Sequence, residues 1–148
     1  MRRLERSAEI AASPAEIYAF LADPANLPLW QTGIVSAERT SPGPTRIGST
    51  ARVTRELMGQ QIAADITVTE AVEDRRLVLA SRVSGIGVTA ELELTPHDGG
   101  TTVAFSMEIR AESIFMAPVE GIVAGAAEQE ADSSLARLRT ALTKPPGP

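Results

Sequence analysis

Two arginines stand where an apolar side chain is expected. Arg6 and Arg55 each interrupt the apolar parity of an alternating stretch, and a guanidinium turned inward without a partner is costly. Pointed into a cavity, either could hold a carboxylate, a phenolate or a carbonyl through its paired N–H donors. A local bulge, or a side chain snorkelling out at a strand end, is the alternative for both. Ser81 breaks the run from Leu79 to Val83 and offers a small hydroxyl to the same space, and Tyr18 is a further donor. His97 is the one histidine; it lies in the turn-like stretch PHDGG, which is expected to face solvent. With no cysteine and one histidine, disulfides, thiolate sites, cysteine nucleophiles, the usual zinc sites and a Ser-His-Asp triad are excluded. Asp23 reads as a helix cap, Asp65 falls on the wet parity of its strand, and Glu128, Glu130 and Asp132 read as a solvated helix surface. Gly48, Gly59 and the SGIG at 84–87 lack the strand-to-helix setting of a phosphate cradle and read as turn formers.

The elements that must position these groups come from a chain of 148 residues, 43% hydrophobic and 22% charged, which is the balance of one globular domain spanning 1–148. A net charge of -5 and only 3% aromatic residues argue against nucleic acid, which rewards basic grooves and stacking rings. No apolar run reaches the length of a membrane span or of a secretory signal, so a cytoplasmic protein is expected.

Residues 3 to 11 alternate with period two and predict a half-buried strand. Ser13, Pro14 and Glu16 form a capping-box start, and Asp23 before Pro24 repeats that signature for a second short helix ending near Trp30. Strands follow over 32–39, 49–58, 61–69, 77–84, 88–94 and 103–109, parted by Gly and Pro turns. Their alternation predicts an antiparallel sheet with one covered face. From Ile122 onward the apolar residues recur at helical spacing, placing one long helix at about 117–142, which Pro118 must either begin or kink. The tail at 143–148, ending in KPPGP, is expected to be disordered.

This is an α+β order in which only the C-terminal helix is long enough to cover the sheet. With its opening ERSAEIAASPAEIYAFLADPANLPLW, its Gly48 and RVTRELMGQQIAADITVTE hairpin, its RRLVLAS strand and its terminal helix, the chain resembles the START-like, helix-grip superfamily (SRPBCC). That superfamily includes polyketide cyclase/dehydrase-type proteins, pathogenesis-related allergens and lipid-transfer domains. The resemblance implies a curved antiparallel sheet of about seven strands wrapped round the long helix, with an apolar cavity between them. Gly121, Ala124, Gly125, Ala126 and Ala127 put small side chains on the first half of that helix, leaving room for a cavity or permitting close packing on the sheet.

Candidate ligand-binding residues are then Trp30 near the cavity mouth, Arg55, Met58, Ser81, Phe105, Met107, Phe115, Met116, Val119 and Val123. Met suits a wall that adapts to its guest, although Trp30, Met58, Phe105, Met107, Phe115 and Met116 also read as ordinary or satellite core. No catalytic residue, cofactor or metal is assigned, and the oligomeric state is open. A binding or carrier protein for a small hydrophobic molecule of polyketide, lipid or quinone type is the leading expectation. The alternative implied by the resemblance is a polyketide cyclase or dehydratase, which needs a base that the sequence does not supply. An adaptor docking a protein through its sheet edge or its acidic helix face is a third.

Overall fold

The computed structural model describes residues 1–57, 59–83 and 85–143. Met58, the Ser84 that closes the expected strand at 77–84, and the tail from 144 lie outside the described residues. Among the described residues the chain runs β1 (Arg2–Ile10), α1 (Pro14–Ala22), a 3-10 turn (Pro24–Asn26) and α2 (Leu27–Trp30). Then come β2 (Ile34–Arg39), β3 (Thr50–Leu57), β4 (Gln60–Val72), β5 (Arg76–Val83), β6 (Ile86–His97) and β7 (Gly100–Ala111). A second 3-10 turn (Ile114–Met116) leads into α3 (Ala117–Leu142).

The local chemistry accounts for the opening. Ser13 Oγ accepts the Glu16 N–H at 3.2 Å with Pro14 in the first turn of α1, which is the N-cap half of the expected capping box, while the Glu16 carboxylate accepts from the Ser13 hydroxyl at 3.1 Å. Asp23 ends α1 and its Oδ1 accepts the Ala25 N–H at 3.0 Å, starting the 3-10 turn. The second short helix is thus a 3-10 turn followed by one α turn. It buries Leu27 and Trp30.

All seven strands form one antiparallel sheet in the order β1-β7-β6-β5-β4-β3-β2. Two departures from the expected boundaries have the same cause, a break in period two. In β4 a bulge between Val68 and Glu70 moves the inward set from Ile66 and Val68 to Ala71, and the strand continues three residues past the point where alternation stops. In β6 the pairing runs through Pro96 and His97 to a two-residue Asp98–Gly99 turn, with Gly99 at φ 87°.

α3 begins with Pro118 in its first turn, so Pro118 starts the helix rather than kinking it. Its buried stripe of Ala124, Ala127, Ala131, Ser134, Leu135 and Leu138 has helical spacing. Two polar clasps hold it, one in its first turn and one in its second half: Glu120 accepts the Ala111 N–H at 2.7 Å, and Ser134 Oγ accepts the Thr32 N–H at 2.9 Å. The Ala111 N–H holds the Glu120 carboxyl below the ordinary carboxylate range.

Leu138 is 0% exposed at the C-terminal end of the buried stripe of α3. Leu138→Ala is expected to lower the unfolding free energy by about 2–5 kcal/mol, read from urea denaturation. A loss below ~1 kcal/mol would show that the C-terminal half of α3 does not anchor the helix.

Candidate ligand cavity

α3 packs along β1, β7 and α2 and stands off from β3, β4 and β5. The gap under its first half is a cavity of about 200 Å³, somewhat below the usual range for small-molecule sites. Its floor is the inward parity of the sheet, with Ile62, Ala64 and Ile66 on β4 and Leu79 and Ser81 on β5. Ile86, Val88, Ala90 and Met107 continue it on β6 and β7. Val119, Val123 and Ala127 form the helix side, and Leu27, Gln31 and Ile34 close the end near α2. Alanines at 64, 90 and 127 leave the volume that leucines would fill.

The small-residue stretch of α3 therefore serves both readings of it. Ala127 lines the cavity, whereas Ala124 is buried in the helix contact and Gly125 has open space beside it. Ile122, which the helical period places on the covered face, is 48% exposed.

Arg55, Ser81, Met107, Val119 and Val123 are brought together on the cavity wall. The other sequence candidates are not. Trp30 is 1% exposed and packs edge-to-face on Phe105 with ring centroids 6.4 Å apart, so both are core side chains rather than cavity mouth or wall. The Trp30 N–H is buried without an acceptor among the described residues. Phe115 is 88% exposed because its 3-10 turn holds it beyond the end of the sheet. Met116 instead covers the turn between β5 and β6: a Cβ on Gly85 would lie 3.2 Å from its Cγ. Met58 lies outside the described residues. Gln31, Ile34 and the β4 residues were missed. Period-two reading marked the β4 set as inward, but nothing local marked Gln31.

The two parity-breaking arginines turn toward α3 and find carboxylates there. Arg55 Nη2 lies 3.4 Å from Glu130 Oε2, and the two side chains are 25% and 22% exposed. Arg6 Nε lies 3.2 Å from Asp132 Oδ1 near the edge of the sheet. Glu130 is thus not the plain solvated surface expected of it, since the helix presents it to the concave face, whereas Asp132 reaches Arg6 with its side chain 80% exposed, on the solvated surface expected of it. Desolvation raises the Glu130 carboxyl above its ordinary value, against the opposing pull of Arg55.

Other titratable candidates stand elsewhere. Tyr18 is half-buried on α1, and its phenol is raised by desolvation and by Glu73 and Asp74. Asp65 pairs with Arg52 on the outer face at 3.2 Å. His97 binds Glu9 and the Asp98 carbonyl on the same outer face. Among the described residues, the polar side chains on the cavity wall are Gln31, Arg55 and Ser81. The wall can hold and orient an acceptor group, and it carries neither carboxylate nor imidazole. Among the described residues no cluster of three His, Cys, Asp or Glu could hold a metal ion, and no helix is long and apolar enough to cross a membrane.

A curved sheet gripping a C-terminal helix over an apolar cavity defines the helix-grip fold of START-like and allergen-type proteins. Residues 1–143 match the family described as polyketide cyclase / dehydrase and lipid transport, and the chain belongs to that family. No curated protein sequence is matched. Among solved structures, Ara h 8.0201 is similar over 97% of this chain and 99% of its own, with TM-score 0.75 and 17% identity. A START superfamily protein from Mycobacterium smegmatis is similar over 95% and 96%, with TM-score 0.76 and 16% identity. The di-domain ARO/CYC BexL from the BE-7585A biosynthetic pathway matches 98% of this chain over 51% of its own, with TM-score 0.79 and 14% identity. At these identities the likeness is one of fold.

The His97 imidazole has a raised pKa, chiefly through the Asp98 carbonyl and then through Glu9. Its contribution to stability is present below the unfolded histidine pKa and fades as pH rises through the raised value. NMR titration should place the His97 midpoint above about 6.5, and Glu9→Gln should lower it. An unchanged midpoint in that variant would deny the pairing.

Proposed function

We propose that the protein binds and carries a small, largely apolar molecule of polyketide, lipid or quinone type in the cavity between the sheet and α3. The observation that carries this reading is the cavity itself: about 200 Å³ with an almost wholly apolar wall. Ser81 and Arg55 give such a guest a place for a hydroxyl or carbonyl group.

Arg55 on the wall also favours a second reading, in which the cavity folds a polyketide-like chain for cyclisation or dehydration. Enolate formation there needs a donor for the developing oxyanion and a base for the α-proton. Arg55 supplies the first, and the second would have to come from Glu130 behind it or from the substrate's own carrier. The wall therefore supports binding more directly than turnover. Arg55→Leu separates the two, because turnover lost with binding retained would assign the arginine to chemistry.

Native mass spectrometry of freshly purified protein is expected to show a stoichiometric hydrophobic ligand, identified after release. Val123→Phe fills the cavity from the helix side. It is expected to remove that ligand and weaken binding of an added apolar fluorophore by at least about tenfold. Binding that survives the filled cavity would place the ligand elsewhere and overturn the proposal.

A further inference from the structure

The Arg55–Glu130 pair sits where the cavity meets the one cation on its wall among the described residues. Arg55 faces the cavity on one side and Glu130 on the other, one helical turn beyond the wall residue Ala127. An unpaired guanidinium in an apolar wall would be a strong anchor for a carboxylate. Here the carboxylate is supplied by the protein.

The surroundings hold Glu130 in that role. Gly33, at φ 97°, lets the chain before β2 press on it: a Cβ there would lie 2.9 Å from Oε1 and 3.1 Å from Oε2. Ser133 Oγ donates to the Glu130 carbonyl at 3.0 Å and shares a 2.8 Å hydrogen bond with Thr32. Together with the Thr32 to Ser134 bond, these tie the approach to β2 onto the helix turn that carries Glu130. The carboxylate is confined between the Gly33 backbone and Arg55.

Two consequences follow for a guest. A neutral acceptor such as a ketone, ester or quinone oxygen can take a remaining Arg55 N–H, since a guanidinium has more donors than one carboxylate uses. The Gln31 amide, also on the wall beside Ile34, adds a donor of the same kind. An anionic guest has to displace Glu130 or sit beside it, and like charges in a half-buried place repel strongly.

We propose that Glu130 is a specificity-determining residue that neutralises Arg55 and so makes the cavity select uncharged, acceptor-bearing molecules over carboxylates of the same size and shape. This deepens the carrier reading and rests on it. The residue acts through Arg55 and is a positioning residue rather than a catalytic one. Both side chains of the pair keep more than a fifth of their surface exposed, so solvent can screen Arg55 when its partner is removed, and Glu130→Gln is a usable variant.

The test compares 1-acetonaphthone with 1-naphthoate, one aromatic body bearing a neutral or an anionic head, by calorimetric titration at pH 7. The parent protein is expected to bind the ketone more tightly. Glu130→Gln should tighten naphthoate binding by about tenfold and leave the ketone within about threefold, with its urea midpoint recording that it is folded. A parent that binds naphthoate at least as tightly as the ketone overturns the inference without recourse to any variant. An unchanged ratio in folded Glu130→Gln also overturns it while leaving the carrier reading standing. If neither probe binds the parent and native mass spectrometry shows no ligand, the carrier reading falls and takes this inference with it.

Discussion

The placement of α3 over one flank of the sheet is the constraint on which the rest depends. Had the helix lain along the middle of the sheet, its apolar stripe would have met β4 and β5 directly and closed the interior. Instead its buried residues meet β1, β7 and α2. Alanines at 124, 127 and 131 permit that close approach, while Leu135 and Leu138 fill the far end. The clasps at Ala111 and Thr32 hold the helix in its first turn and in its second half. The cavity under β3 to β6 is what this off-centre seating leaves open.

That seating also decides where charge goes. Arg55 and Arg6 belong by parity to the concave face, where an unpaired cation would be expensive. α3 brings Glu130 and Asp132 to meet them at the helix positions left over from its apolar stripe. Neither pair is deeply buried, so neither is a large source of stability. Of the two arginines, Arg55 is the one on the cavity wall, so its pairing with Glu130 is the one that bears on the interior.

Much of the fold was legible because period and punctuation agree. The Ser13 cap, the Asp23 start, the alternating strands and the apolar repeat of α3 each follow from residues close in sequence, and the largest boundary misses, at the end of β4 and at the β6–β7 turn, came where a bulge or a tight turn broke the alternation. The site was legible in part, and the division is physical. Ser81, Met107 and Arg55 were found because strand parity fixes facing. Trp30 and Phe105 share the inward face with the cavity wall, and only tertiary packing decides which inward side chain meets another and which meets space. Phe115 stood out because an aromatic in a connecting turn needs an explanation, yet facing in a 3-10 turn has no period to read. The partners of the arginines were invisible for the same reason: a charge run on a helix looks solvated until the opposite wall is known.

An apolar cavity is itself a standing cost, since side chains around empty volume forgo the dispersion contacts a packed core would supply. Filling it would have required only larger residues at inward alanine positions such as 64 and 90. The polar side chains on the wall sharpen the point. A chain selected for stability alone gains nothing from Arg55 and Ser81 facing an apolar space, because each loses hydration there without a full set of partners. A guest with an apolar body and one acceptor supplies both missing terms together, dispersion along the wall and a hydrogen bond at its polar end. Its binding energy then returns what the unfilled interior gives up, so occupancy and stability are coupled through the same few side chains.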